Sequence, residues 1–183
     1  QKIFISNGQL ADFVLVACKT DPAARGRGIS QIIVERGAPG FERGKNLDKV
    51  GYHAQDTSEL FFADCRVPLG NLLGKEGNGF IQMVSQLPQE RLVVALRSTA
   101  IIEVALDWTT RYVNEREAFG RTLANFQNTR FKLAEIKTKA AVTRSFIDAC
   151  LALHVTEGLD ANDAAMAKLH STEVMCEVLD DCV

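Results

Sequence analysis

Apolar and polar positions follow two different periods along this chain. Up to about residue 70 the apolar residues come in short runs; beyond that they recur every three to four residues. "KIFIS" (2–6) is a short strand candidate, closed by the turn signal Asn7-Gly8. "FVLVACK" (13–19) is β-branched and nearly continuous, the pattern of a strand buried on both faces. "TDPAARGRG" reads as a charged loop punctuated by Pro22, Gly26 and Gly28. "SQIIVE" follows as a strand, then "RGAPGFERGKN" as a turn-rich link. "ELFFADCRV" (59–67) is the last clear strand, ended by Pro68. Short strands with no helical period predict a small antiparallel barrel or sandwich.

"GKEGNGF" (74–80) is a hinge, glycine-rich enough for tight backbone turns. From about 78 to 113, Leu92, Leu96, Ile102, Ala105, Leu106, Thr109 and Val113 keep helical spacing. Pro88 fits the first turn of that helix, or kinks it if the helix already runs through 80–87. "REAFGRTLANF" interrupts, with Gly120 as breaker. A second long helix starts near Gln127, with Leu133, Ile136, Ala140, Thr143, Ile147, Leu151 and His154 as its buried stripe. Gly158 stops it, and Asp160 or Asn162 can cap a third helix that runs to the end. The predicted class is α+β: an antiparallel β domain (1–72) followed by an up-down helical bundle (73–183). The β domain begins and the third helix ends without punctuation, so the expectation is an incomplete bundle from a longer chain.

Composition narrows the function classes. Among 183 residues, 46% are hydrophobic and 24% charged, enough for a real core and against disorder. A net charge of −2 gives no electrostatic case for nucleic acid or an anionic membrane. No apolar run approaches the roughly 20 residues of a membrane span, and the first residues lack a signal-peptide pattern. The cysteines at 18, 65, 150, 176 and 182 are odd in number without CxxC spacing. They read as small apolar fillers in a reducing compartment. His53, His154 and His170 show no metal spacing and read as structural; no metal is expected. There is no Walker motif, no GxSxG, and no GxGxxG after a strand.

Two stretches carry candidate chemistry. "LPQERLVVA" (87–95) puts Pro88, Glu90 and Arg91 at the head of an apolar run. Glu90-Arg91 can be an exposed pair on a helix surface, or Glu90 a carboxylate placed to move a proton. "NEREAFGRT" (114–122) sets Arg116 and Arg121 around Phe119 and Gly120. It reads as a helix C-terminus with dipole-complementing cations, or as a surface for phosphate and an aromatic group.

"KIFISNG", "GISQIIVERGAPGF", "DTSELFFADCRVPLGNLLGKEGNGF" and "YVNEREAFGRTLANFQNTRFKLAEI" together resemble the middle and C-terminal parts of the acyl-CoA dehydrogenase family. Order and spacing match over essentially the whole chain, and "LPQERL" with "FKLAEIKT" looks most like the long-chain branch. The resemblance implies an FAD-dependent α,β-dehydrogenation of acyl-CoA thioesters, for long or branched chains. Phe4, Ile5 and Ser6 match the strand beside the flavin ring, where an aromatic packs and a hydroxyl or N–H meets N5. Arg116 and Phe119 match positions that reach the FAD of a neighbouring subunit, with Gln127 further along the same contact. Glu90 matches the base of the long-chain and isovaleryl-type branches, and Arg91 a supporting charge. Pro88 and Gln89 line the acyl-CoA pocket, with Ile81 beside the acyl chain.

The same resemblance implies a homotetramer and an electron-transfer flavoprotein as electron acceptor. The compartment would be the bacterial cytoplasm or the mitochondrial matrix. The family's N-terminal helical domain, its flavin-phosphate loop and its late glycine-rich motif have no counterpart in these residues. Two other readings stay open: an acyl-CoA oxidase, and a non-catalytic paralogue kept for assembly or acyl-CoA binding.

Overall fold

The computed structural model describes residues 1–183 as two compact units, Gln1–Val84 and Ser85–Val183. The first holds β1 (Lys2–Ser6), β2 (Phe13–Lys19), β3 (Ile29–Glu35), β4 (Phe41–Asn46) and β5 (Thr57–Phe62). The pairings among these five strands are antiparallel. One sheet has the order β1-β5-β4, and β2 pairs with β3 from Phe13↔Glu35 to Lys19↔Ile29. The α+β class holds, with the strands in two open sheets rather than one closed barrel. Val34 and Leu60 are buried with Ser30, Gln31 and Ser58 beside them.

Three sequence expectations change here. "FERGKN", expected as part of a link, is β4. Phe41 and Arg43 lie opposite Phe62 and Leu60, and the Phe41 ring stacks on Phe62 at 4.9 Å and 4°. That cross-strand stack outweighs the low strand propensity of a charged, glycine-containing run. β5 starts earlier and ends at Phe62, because Asp64 takes a positive φ of 49° and turns the chain away. β2 is not buried on both faces: Phe13 and Leu15 are exposed, and Val14 and Val16 are half-buried.

Beyond Pro68 the chain returns along the second edge of β3. Leu73 N donates to Gln31 O (2.9 Å), and Asn71 Nδ2 to Ile33 O (2.9 Å). The hinge glycines are used for close approach. Gly77 N donates to Ser30 Oγ at 2.9 Å. A Cβ on Gly79 would lie 2.7 Å from the Ser30 carbonyl carbon, which no side chain tolerates.

The second unit is built on α1 (Gly79–Glu115), which starts in the first unit, α2 (Gln127–Thr156) and α3 (Ala161–Cys182). A short hairpin of β6 (Glu117–Ala118) and β7 (Arg121–Thr122) separates the first two helices. Leu92 and Ala95 of α1 share one core cluster with Ile147 and Cys150 of α2 and Ala164 and Ala167 of α3. Further along, Ile102 meets Ile136, Ala140, Val174 and Val178. As α1 ascends, its partners on α2 descend, so the helices run up-down-up. The predicted α2 stripe is the buried one at Ile136, Ala140, Thr143 and Ile147, while Leu133, Leu151 and His154 are half-buried.

Punctuation falls where the sequence puts it. Gly158, at φ +92°, closes α2 with its N–H on Leu153 O, and Asp160 caps α3 by accepting from Asn162 N and Asp163 N. Pro88 lies inside α1, which is continuous through it. Lacking an N–H, Pro88 leaves the Val84 carbonyl without its helical partner. His170 Nε2 shares a hydrogen bond with Thr143 Oγ1 (3.1 Å) between α3 and α2, and His53 Nε2 meets Lys49 O (2.6 Å); both are structural contacts. Cys150 fits the role of apolar filler, and burial pushes its thiol up; Cys176 departs from that role, being exposed.

Ion pairs tie the helices on the outside. Lys132 and Lys139 of α2 reach Asp181 and Glu177 of α3 at 2.8 and 2.9 Å. Arg144 grips Glu103 of α1 with two bonds, Nε–Oε1 2.8 Å and Nη2–Oε2 2.6 Å. That grip holds the Glu103 carboxyl below its ordinary value of 4.5. A lowered carboxyl adds stability above its unfolded pKa and loses it as pH falls through the folded one. The pair is over a third exposed at Glu103, so its worth is under about 1 kcal/mol. Glu103→Gln is expected to lower the urea midpoint slightly near neutrality. That difference from wild type should shrink as the pH is lowered from about 6 through and below the ordinary carboxylate range. A gap that does not shrink with acid contradicts the assignment.

Candidate active site

Glu90 sits two residues after Pro88 on α1, exposed, and its carboxylate is engaged in no hydrogen bond or ion pair. Gln86, Gln89, Glu90 and Val93 follow one another at helical spacing and line an open depression of about 360 Å³. Its walls are two neutral amides and one aliphatic side chain, so within its unit nothing of opposite charge faces the carboxylate. Pro88 and Arg91 are half-buried on the neighbouring sides of the helix. A carboxylate that fastens nothing is free to be a reactant.

The far end of α1 forms a second group. Arg116 N donates to Tyr112 O (2.8 Å), and Arg116 O accepts from Leu123 N (2.8 Å), so backbone bonds fix its place while the side chain is exposed. The β6–β7 turn is Phe119-Gly120, with φ of +52° and +75°. Two left-handed residues make the turn that matches strand twist, where Asn-Gly is usual. "EAFGRT" is therefore a hairpin, not a helix C-terminus. Phe119 is 95% exposed and meets the Phe126 ring edge-on at 6.4 Å, while Arg121 lies 4.0 Å over that ring. Gln127 opens α2 next to Phe126 and is exposed, with no side-chain cap on that helix. So Arg116, Phe119 and Gln127 come together at one end of the bundle.

In the first unit, Phe4, Ile5 and Ser6 lie on β1, an edge strand. Its ladder to β5 slips between Lys2 and Ile5. Phe4, at the slip, has φ +61° and is 72% exposed; Ser6 is exposed and Ile5 half-buried. Ile81 lies with Phe80 in a mainly apolar pocket of about 440 Å³, whose rim carries Arg25 and Arg27. In sequence these two arginines look like no more than charges of a solvated loop. The signal was "RGRG": glycines beside cations, letting backbone come close, with Gly26 against Phe80 and Arg25 at φ +47°. Phe4, Arg25 and Phe119 are three of the six non-glycine residues at positive φ. Bulky residues enter that region at a cost, and such strain gathers at functional surfaces.

Family models for the acyl-CoA dehydrogenase middle and C-terminal domains match residues 1–65 and 77–183. The chain belongs to the acyl-CoA dehydrogenase family. It is 46% identical to the mitochondrial long-chain specific acyl-CoA dehydrogenase of Mus musculus over 184 residues, 100% of this chain and 43% of the relative. It is 40% identical to the mitochondrial isovaleryl-CoA dehydrogenase of Pongo abelii over 183 residues, 97% of this chain and 42% of that protein. An acyl-CoA dehydrogenase crystal structure from Geobacillus kaustophilus aligns with a TM-score of 0.95 at 47% identity. That alignment covers 98% of this chain and 48% of the other. The acyl-CoA dehydrogenase segment therefore spans under half the length of the relatives it matches. No helix in it is long and apolar enough to cross a membrane.

Proposed function

We propose that the protein containing this chain is an FAD-dependent acyl-CoA dehydrogenase acting on long or branched acyl chains, with Glu90 as the base. The observation that carries this reading is the unengaged carboxylate of Glu90, in its depression on α1, within a family segment close to long-chain and isovaleryl relatives. The residues present fit a flavin: Phe4 and Phe119 hold aromatic rings out of the fold on strained backbone, where a planar aromatic group can pack. Phe4, Ile5 and Ser6 would hold the ring, and Arg116, Phe119 and Gln127 the remainder from a neighbouring copy. When bound, the flavin supplies the acceptor for the hydride that leaves the β-carbon.

The rest falls to the chain itself. Glu90 takes the α-proton, which its free carboxylate can do once substrate covers the depression and expels water. The side chains of Gln89 and Gln86 bring no charge that would compete with it, and Arg91, the next residue on α1, is the supporting charge near the site. Phe80 and Ile81 offer apolar surface to the acyl chain, and Arg25 and Arg27 offer guanidiniums to the phosphates of a CoA thioester. The boundary between the β domain and the helical domain is placed near residue 72, in the interval between the two family matches. A homotetramer, an electron-transfer flavoprotein as acceptor, and a bacterial cytoplasmic or mitochondrial matrix setting belong to the same proposal.

Anaerobic mixing of the full-length protein with acyl-CoAs of increasing chain length tests it. Bleaching of the oxidised-flavin absorbance should be fastest with long or branched chains. Bleaching confined to short chains would reject the substrate class. Absence of flavin from a folded sample would favour the non-catalytic paralogue, and rapid reoxidation by oxygen the oxidase.

A further inference from the structure

The turn that follows β1 is clamped by arginines. Arg43, half-buried on β4, donates Nε to Gly8 O (2.8 Å) and Nη2 to Ala11 O (2.6 Å). Arg36, just past β3, donates Nη2 to Leu10 O (2.7 Å), with longer bonds to Ala11 O (3.2 Å) and Gln9 O (3.4 Å). Four consecutive carbonyls, Gly8 to Ala11, thus face guanidinium donors. Asp56 closes the turn from the other side: its backbone O accepts from Asn7 N (3.1 Å), and its Oδ2 from Gln9 N (2.7 Å). Gln9 Nε2 returns a bond to Gly44 O at 2.8 Å.

Such bracing is more than a surface turn needs. β1 is held along one side only: it is an edge strand, paired with β5 alone, and its ladder slips between Lys2 and Ile5. Gly8 is pressed onto the sheet so closely that a Cβ would lie 2.4 Å from Ser58 Oγ. The Arg43 guanidinium carbon itself lies 5.4 Å from the centre of the Phe41 ring, which stacks on Phe62. A chain of rigid contacts runs from the far edge of the sheet to the end of β1.

We infer that Arg43 is a positioning residue for Phe4–Ser6: its two-pronged bond to Gly8 and Ala11 fixes where that segment presents its aromatic ring and hydroxyl. This rests on the reading that Phe4–Ser6 faces the flavin. Displacement of a positioned group by about 1 Å costs on the order of 100-fold in rate, so the effect should appear in kcat rather than KM.

The test uses the full-length holoprotein with Arg43→Gln and Arg43→Lys, together with hydrogen exchange of the amides of residues 4–11 in protein stripped of flavin. Arg43→Gln should lower kcat about 10- to 100-fold with KM nearly unchanged, shift the bound-flavin visible spectrum, and speed exchange across residues 4–11. Lysine offers one charged point where two prongs are needed, so Arg43→Lys should recover kcat and spectrum only in part. Faster exchange with an unaltered flavin spectrum and kcat overturns the inference while leaving the dehydrogenase reading intact. Unaltered exchange overturns it as well. A folded wild type without flavin removes the reading it rests on, and the exchange result then still reports whether Arg43 holds the turn. If Arg43→Gln fails to fold, the Arg43→Lys comparison decides between the same outcomes.

Discussion

Glu90→Gln is expected to slow α-proton abstraction about a thousandfold, within the range a general base contributes, while flavin content and fold stay as in wild type. The argument is structural as much as chemical. Glu90 is exposed and engaged with no partner, so replacing it by an amide of the same shape breaks nothing that folding uses. Surface changes of that kind shift stability by no more than about 0.5 kcal/mol. A solvated helix glutamate would therefore give a silent substitution in every assay. A base would give a silent substitution in melting and a large loss in the rate at which acyl-CoA bleaches the flavin. Near-normal turnover in Glu90→Gln would reject Glu90 as the base.

Arg116→Ala should weaken flavin retention by about 10- to 100-fold, the worth of one charge-assisted hydrogen bond or ion pair. Its backbone bonds to Tyr112 and Leu123 do not involve the side chain, so the hairpin should survive truncation. The readout is the flavin-to-protein ratio of the full-length protein after gel filtration, with the elution volume reporting assembly. A full complement of flavin in the variant, in unchanged oligomers, counts against a role across subunits. Phe119→Ala is the companion variant: 95% exposed, the ring contributes little to its own fold, so lost flavin there points to packing on the cofactor.

What could be read in advance follows from how local each signal is. The helices were legible because capping and periodicity are local: Gln127 opens α2, Gly158 closes it, and Asp160 caps α3. β4 was not legible, since "FERGKN" becomes a strand only through Phe62 and Leu60, which lie about twenty residues on. The hairpin at Phe119-Gly120 was seen as a break but not as a turn, because phenylalanine at a left-handed position contradicts local preference. Exposure on β2 likewise depends on what covers the sheet, not on the run of apolar residues in "FVLVACK". At the site, residue types marked Glu90 and the Arg116–Phe119 surface, but Arg25 and Arg27 emerge only when their loop is seen beside Phe80 and Ile81. The engagement of Arg43 with two carbonyls is invisible in sequence, where it is one charge in a polar run.

The three-stranded sheet has irregular pairing near both of its rims: between Lys2 and Ile5 on β1, and between Arg43 and Asn46 on β4. An unbroken rim is a template on which another chain can add a strand, and bulges and charges are the usual defence. Here the slip at Phe4 and the interruption at Gly44-Lys45 spoil the run of free amides that a foreign strand would need. The irregularity that sets out Phe4 thus also makes this rim a poor template for strand addition by another chain.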